Sequence, residues 1–289
     1  MTSSTMTQTS LRHLQANLSE LARLQEQASS QRAFASVSDD PAAAATALGL
    51  HAAQRRGDQY ARNIDDALAW VTTADTALTS AGALLNRVRD LTVQGANDGA
   101  LDPIAKEAIA VELEGIRDEL LAVANTTFLG RSIFAGTSDA AAFDATYAHS
   151  GIAGSEVVRR ISDGGSVRVD VDGAEAFGTG AASAFALVDS VIADLRSGTN
   201  AGGRLAEIDE RLTAMRGAQA AVGSRQAQVE RAKEVAVHSA VSLEARRAAV
   251  EDVDSVEVLV QLQAQELVYR SALSVTARVL QPSLMDFLA

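Results

Sequence analysis

The sequence predicts a mainly α protein. Both chain ends form a long antiparallel helical bundle or coiled-coil rod, and a small all-β insertion sits in the middle. Three observations carry this prediction. Apolar residues keep heptad spacing near both ends. Two Asp-Pro pairs mark helix starts. The helical period then disappears between Ile133 and Gly180, where valines alternate with charged residues.

In the first element, Leu11, Leu14, Leu18 and Leu21 step by 3, 4 and 3. That spacing puts them along one seam of a helix. The pattern is lost from Ala33 to Asp39, which predicts a loop. Asp40-Pro41 and Asp102-Pro103 follow the N-cap rule. The aspartate side chain accepts an orphan backbone N–H, and proline at the first helical position has none to offer. Helices are therefore expected from Pro41 and from Pro103.

The helix from Pro41 carries Ile64, Val71, Ala74, Leu78, Ala81, Leu85 and Val88, and Asn97-Asp98-Gly99 breaks it. The helix from Pro103 carries Ile109, Leu113, Ile116, Leu120 and Val123. A short connection between two long seams predicts antiparallel neighbours.

In the middle, Val167, Val169 and Val171 alternate with Arg168, Asp170 and Asp172, the period of a strand. Val157, Arg159 and Ile161 supply its partner, with Asp163-Gly164-Gly165 as the turn. Asp170 and Asp172 are read as solvent-facing. Such an insertion is expected to be separable from the helical seams on either side.

Gly202-Gly203 reads as a helix-start loop. Beyond it, Ile208, Met215, Val222, Val229, Ala236, Leu243 and Val250 recur every seven residues. The phase then slips to Val253, Val256, Val260, Ala264 and Leu267. No Gly or Pro occurs between Ser224 and Gln281, and a continuous helix there would be about 85 Å long. Near its end a second apolar face arises from Leu259, Leu262, Tyr269, Leu273 and Leu280. A helix apolar on two sides has to be covered on two sides. The N-terminal helix is expected on one side and another copy on the other. The expected divisions are 1–40 (assembly helix and loop), 41–132 (first arm), 133–181 (β insertion), 182–250 (second arm) and 251–289 (C-terminal assembly helix).

Composition narrows the function. The net charge of −12 opposes a nucleic-acid partner, which needs a positive footprint. Hydrophobic residues are 47% but aromatics only 4%, so the apolar content suits closely packed helices. Without cysteine there is no disulfide, thiolate metal site or cysteine nucleophile. His13, His51, His149 and His238 have no metal-ligand spacing. No P-loop or GxGxxG is present. Neither a cofactor nor a catalytic constellation is expected. The start of the chain has no charged segment followed by an apolar run, so export would use a route other than a cleaved signal peptide.

Several segments are familiar. Ser29-Ser30-Gln31-Arg32, followed by Val37-Ser38-Asp39-Asp40-Pro41-Ala42-Ala43, resembles the N-terminal signature of bacterial flagellins and flagellar junction proteins. Asn125-Thr126-Thr127-Phe128-Leu129-Gly130, leading to Ile133-Phe134-Ala135-Gly136, resembles the end of their first arm. The stretch from Val157 to Phe177 resembles their small outer domain. Val222-Gly223-Ser224-Arg225-Gln226 resembles the start of their returning arm. The ending from Arg278 to Leu288 resembles that of hook–filament junction proteins. The opening departs from the family, with Met6-Thr7-Gln8 in place of the usual Arg-Ile/Val-Thr.

The resemblance implies a non-enzymatic flagellar component, exported through the flagellar secretion channel and assembled as a ring at the hook–filament junction. Its implied partners are other copies of itself, the hook-side junction protein (hook-associated protein 1), flagellin and a flagellar export chaperone. The candidate assembly interface is Leu11, Leu14, Leu18, Leu21, Val253, Val256, Val260, Leu267, Leu273, Leu280, Leu284 and Phe287. A flagellin and a cytosolic coiled-coil adaptor are the alternatives.

Overall fold

The computed structural model describes residues 3–97, 102–152 and 154–280, with side chains from 8 to 277. The chain is mainly α. Its long helices are α1 (Ser3–Ser30), α2 (Pro41–Gly95), α3 (Pro103–Ala124), α5 (Ala184–Ser197), α6 (Leu205–Glu251) and α7 (Ser255–Leu280), with a short α4 (Gly173–Phe177) in the middle. Two small antiparallel sheets lie between α3 and α4. They are β1 (Thr127–Phe128) with β2 (Arg131–Ser132), and β3 (Val158–Arg160) with β4 (Ser166–Arg168).

The chain divides into two compact units. One is Met1–Arg56 with Ser239–Ala289, and the other is Gly57–His238. These boundaries fall inside α2 and α6, whereas the divisions read from the sequence follow breaks in periodicity.

Helix starts follow local chemistry. Asp40 Oδ1 accepts from Ala43 N at 2.9 Å and Ala42 N at 3.1 Å, directly before Pro41. Asp102 Oδ1 accepts from Ala105 N at 2.7 Å. Each carboxylate satisfies donors that have no partner within the helix. Asp102→Ala is expected to cost about 1 kcal/mol, read by urea unfolding. An unchanged midpoint would mean that water caps α3 equally well.

In the Gly57–His238 unit, Ile64, Val71, Leu78 and Leu85 of α2 are buried, as are Leu113 and Leu120 of α3. Ile208, Met215, Val222 and Val229 of α6 join them in one core. Seven-residue spacing keeps each set on one face, so three seams converge. Gly95 closes α2 where Leu195 of α5 packs; a Cβ there would meet Leu195 Cδ2 at 2.5 Å.

The middle segment belongs to this same core. Phe134, Val167, Val169, Val171, Phe177 and Phe185 are all buried in the cluster that holds the helical seams. Phe134 and Phe177 meet edge to face at 5.1 Å, as do Phe143 and Phe185. Polar ties add to this: Asp66 accepts from Arg159 Nε at 2.5 Å, and Asn63 Nδ2 donates to Arg160 O at 2.8 Å. The separable insertion expected from the sequence is therefore corrected. Its strands have a helix-facing side that alternation could not reveal.

Asp170 is also corrected. It is fully buried, not solvent-facing. Its Oδ1 accepts from Val157 N at 2.7 Å, and Arg168 clamps both carboxylate oxygens at 3.0 and 3.1 Å. Arg225 of α6 donates to Asp170 O at 2.6 Å. Burial, with the nearby Arg168 charge, pushes the Arg225 pKa down. Asp170→Ala would strand Val157 N–H and leave Arg168 with Glu156 alone. A loss of about 3 kcal/mol is expected in urea unfolding. A loss below about 0.5 kcal/mol, the range of ordinary surface changes, would show that water replaces the carboxylate.

Candidate assembly surface

The Met1–Arg56 and Ser239–Ala289 unit is held at two linkers. Residues 31–40 join α1 to α2, and residues 252–254 join α6 to α7. Arg32 and Asp252 form an antiparallel bridge. Beside it Ala33 N donates to Glu251 O at 2.7 Å, and Val253 N donates to Gln31 O at 3.3 Å. The long helix expected through this region is thus broken. Asp254 restarts it as a cap, its Oδ1 accepting from Val256 N and Glu257 N at 2.9 and 3.2 Å. The acidic run Asp252-Val253-Asp254-Ser255 was the available signal. It breaks a helix because its side chains compete for backbone donors.

A polar cluster fixes the same corner. His51 Nε2 lies 2.6 Å from Glu251 Oε1, and Arg247 reaches Glu251 Oε2 at 2.9 Å. Burial raises the Glu251 pKa, but the hydrogen bonds from Arg247 and His51 outweigh it and hold the carboxyl below its ordinary value. A depressed carboxylate stabilises the fold above its unfolded value. That contribution is lost as pH falls through the depressed value.

From this corner α1 and α7 run antiparallel, with Gln265 Nε2 near Asn17 O at 3.3 Å. Leu24 and Val258 are buried. Leu14 and Leu21 on α1, and Leu262, Tyr269, Ala272 and Thr276 on α7, are half-buried. Positions 258, 262, 265, 269, 272 and 276 step by 4, 3, 4, 3 and 4, a continuous seam.

The predicted interface residues divide around this seam. Leu14 and Leu21 turn inward, while Leu11 and Leu18 stay exposed at its edge. Val253 is half-buried in the linker rather than on a helix, which corrects its place in the C-terminal seam. On α7, Val256 is 72% exposed, Val260 61% and Leu267 68%. Successive 100° steps put these three opposite the α1-facing seam. Leu259 is exposed between the two faces, and Leu273 is exposed at the edge of the α1-facing seam. The Leu280 side chain, with Leu284 and Phe287, lies outside the described residues. The α7 helix thus has one face covered by its own chain and an apolar face exposed.

No catalytic constellation accompanies this surface among the described residues. The fold defines a class: a helical structural subunit whose terminal helices pair and leave apolar side chains exposed. Residues 2–139 match the bacterial flagellin N-terminal helical region, and residues 205–288 match the bacterial flagellin C-terminal helical region. The chain belongs to the bacterial flagellin family, whose members are structural proteins rather than enzymes.

Polar flagellin C of Vibrio parahaemolyticus serotype O3:K6 is 35% identical over 136 residues, covering 47% of this chain and 35% of that one. Flagellar hook-associated protein 3 of Salmonella typhimurium is 35% identical over 127 residues, covering 43% and 40%. The matched stretch thus spans well under half the length of either relative. Among solved structures, a Vibrio parahaemolyticus chain described as a flagellar hook-associated protein superposes with a TM-score of 0.69 at 23% identity, covering 74% of this chain and 100% of that one. FlgL of Xanthomonas campestris gives 0.62 at 18%, covering 69% and 99%. At those identities the likeness is one of fold.

Proposed function

We propose that this chain is a hook-associated component of the flagellum. Copies assemble as a ring at the hook–filament junction and adapt the hook to the flagellin filament. The observation that carries this reading is the open apolar face of α7 at Val256, Val260 and Leu267, with its opposite face already taken by α1. The junction role is favoured over a filament role by the fold shared with FlgL chains and by the ending Ser283-Leu284-Met285-Asp286-Phe287-Leu288. The ring contacts the hook-side junction protein on one side and flagellin on the other. A flagellar export chaperone covers the terminal helices before passage through the secretion channel, with no signal peptide cleaved.

Antibody labelling of the intact appendage tests the reading. The label is expected as one band at the hook end. Deletion of the gene is expected to leave hooks without filaments while flagellin escapes into the medium. Label along the whole filament would make the chain a flagellin. Label confined to the cytosol would make it a coiled-coil adaptor.

A further inference from the structure

The β1–β2 hairpin turns on Leu129 and Gly130, both at positive φ, 50° and 79°. This is the type I′ arrangement, for which Asn-Gly is the preferred pair. Glycine adopts it freely. A leucine at φ 50° brings its Cβ against backbone oxygen and is disfavoured. Leu129 is also 82% exposed. One residue therefore combines a strained backbone with a bulky apolar side chain in water. Neither condition helps the isolated chain, and strain of this kind collects at contact sites.

The same unit carries a groove that suits such a side chain. Residues of α2 and the end of α3 form an open groove of about 320 Å³, lined by Thr73, Thr76, Ala77, Ser80, Val123 and Thr126 among others. The hydroxyls of Thr73, Thr76 and Thr126 donate to Ala69 O, Thr72 O and Val123 O. Their donors are spent on backbone, so methyl groups are left for a guest.

Charge agrees with shape. Arg131 follows Leu129 by two residues. Its side chain is 40% exposed, and the carboxylate facing it, Asp139, is 3.9 Å away and itself 92% exposed. Glu119 lies one turn before Val123 on the same face of α3 and is exposed.

We propose that Leu129 of one copy docks into the Thr73–Thr76–Val123 groove of a second copy, with Arg131 facing Glu119 across the contact. Thr126 of the groove lies three residues before Leu129, so knob and groove adjoin on one surface and each copy presents both to its neighbour. The contact shares with the functional reading only the premise that copies meet. It does not depend on where in the flagellum they do so.

Absence of cysteine makes the test direct. Full-length Leu129→Cys and Thr76→Cys chains are mixed at high concentration and oxidised. The Leu129–Thr76 disulfide is expected in excess over both homodisulfides. Arg131→Glu on the first chain should lower that yield, and Glu119→Arg on the second should restore it. Leu129→Asn, which suits the turn, should raise the melting temperature while reducing self-association. A random mixture of disulfides, or a Leu129→Asn chain that associates like the wild type, would overturn the proposal. Mislocalised label in the appendage with the cross-link intact would remove the junction reading and leave this contact standing.

Discussion

Leu267→Asp is expected to leave the circular dichroism and melting of the isolated chain unchanged and to abolish its incorporation into the appendage. Leu267 is 68% exposed, so an aspartate there is wetted and the fold changes by about 0.5 kcal/mol or less. Once the α7 face is covered by another chain, the same carboxylate is buried without a partner. That costs about 3–5 kcal/mol. At about 1.4 kcal/mol per tenfold, association weakens by at least a hundredfold. The readout is the amount of the variant in sheared appendages, together with swimming. Normal incorporation of a well-folded variant would show that this face of α7 points to solvent in the assembly.

The second large effect concerns the middle of the chain. Replacing Asp144 to Gly178 by a short Gly/Ser linker is expected to destroy cooperative unfolding of the Gly57–His238 unit. The replacement removes Val157, Ile161, Val167, Val169, Val171 and Phe177, all buried in the shared core. At about 1.5–3 kcal/mol per buried side chain, the loss matches or exceeds the whole stability of an ordinary domain. The chain has one tryptophan, Trp70, which is 1% exposed with the Arg159 guanidinium 5.6 Å above its ring. Its emission should shift to the red in the variant. A sharp melt with unshifted Trp70 emission would make the middle segment an appendage after all.

These two expectations show where the sequence was legible. The helical seams could be read because each presents a single buried face. Ile64, Val71 and Leu78 on α2, and Ile208, Met215 and Val222 on α6, mark that face by spacing alone. The starts at Pro41 and Pro103 were legible because capping is local chemistry. What stayed hidden depends on a second neighbour. The β4 segment looks half-polar, yet Arg168 and the buried Asp170 just beyond it pair with each other and with groups 12 or more residues away, including Glu156, Val157 N and Arg225. Alternation identifies a strand but not what lies over its polar side. On α7 two apolar faces were visible. Which of them α1 takes was settled by packing at Val258, Leu262 and Tyr269, which compete with Val256, Val260 and Leu267 on nearly equal terms in sequence. Leu129 gave no sequence signal, because its oddity is a backbone angle.

The pairing of α1 with α7 also sets an order of events. About 225 residues separate the end of α1 from the start of α7. On a ribosome adding roughly 5–20 residues per second, α1 emerges on the order of 10–50 s before its partner exists. The core built from α2, α3, α5 and the first part of α6 ends at Val229, so its last residue is made about 1–5 s before α7 begins. Translation therefore gives every molecule a long interval in which its first helix is uncovered, and the largest unit is complete only in the last few seconds of it. A factor that recognises newly made chains by their free amino-terminal helix has that interval in which to act, and it closes when α7 arrives.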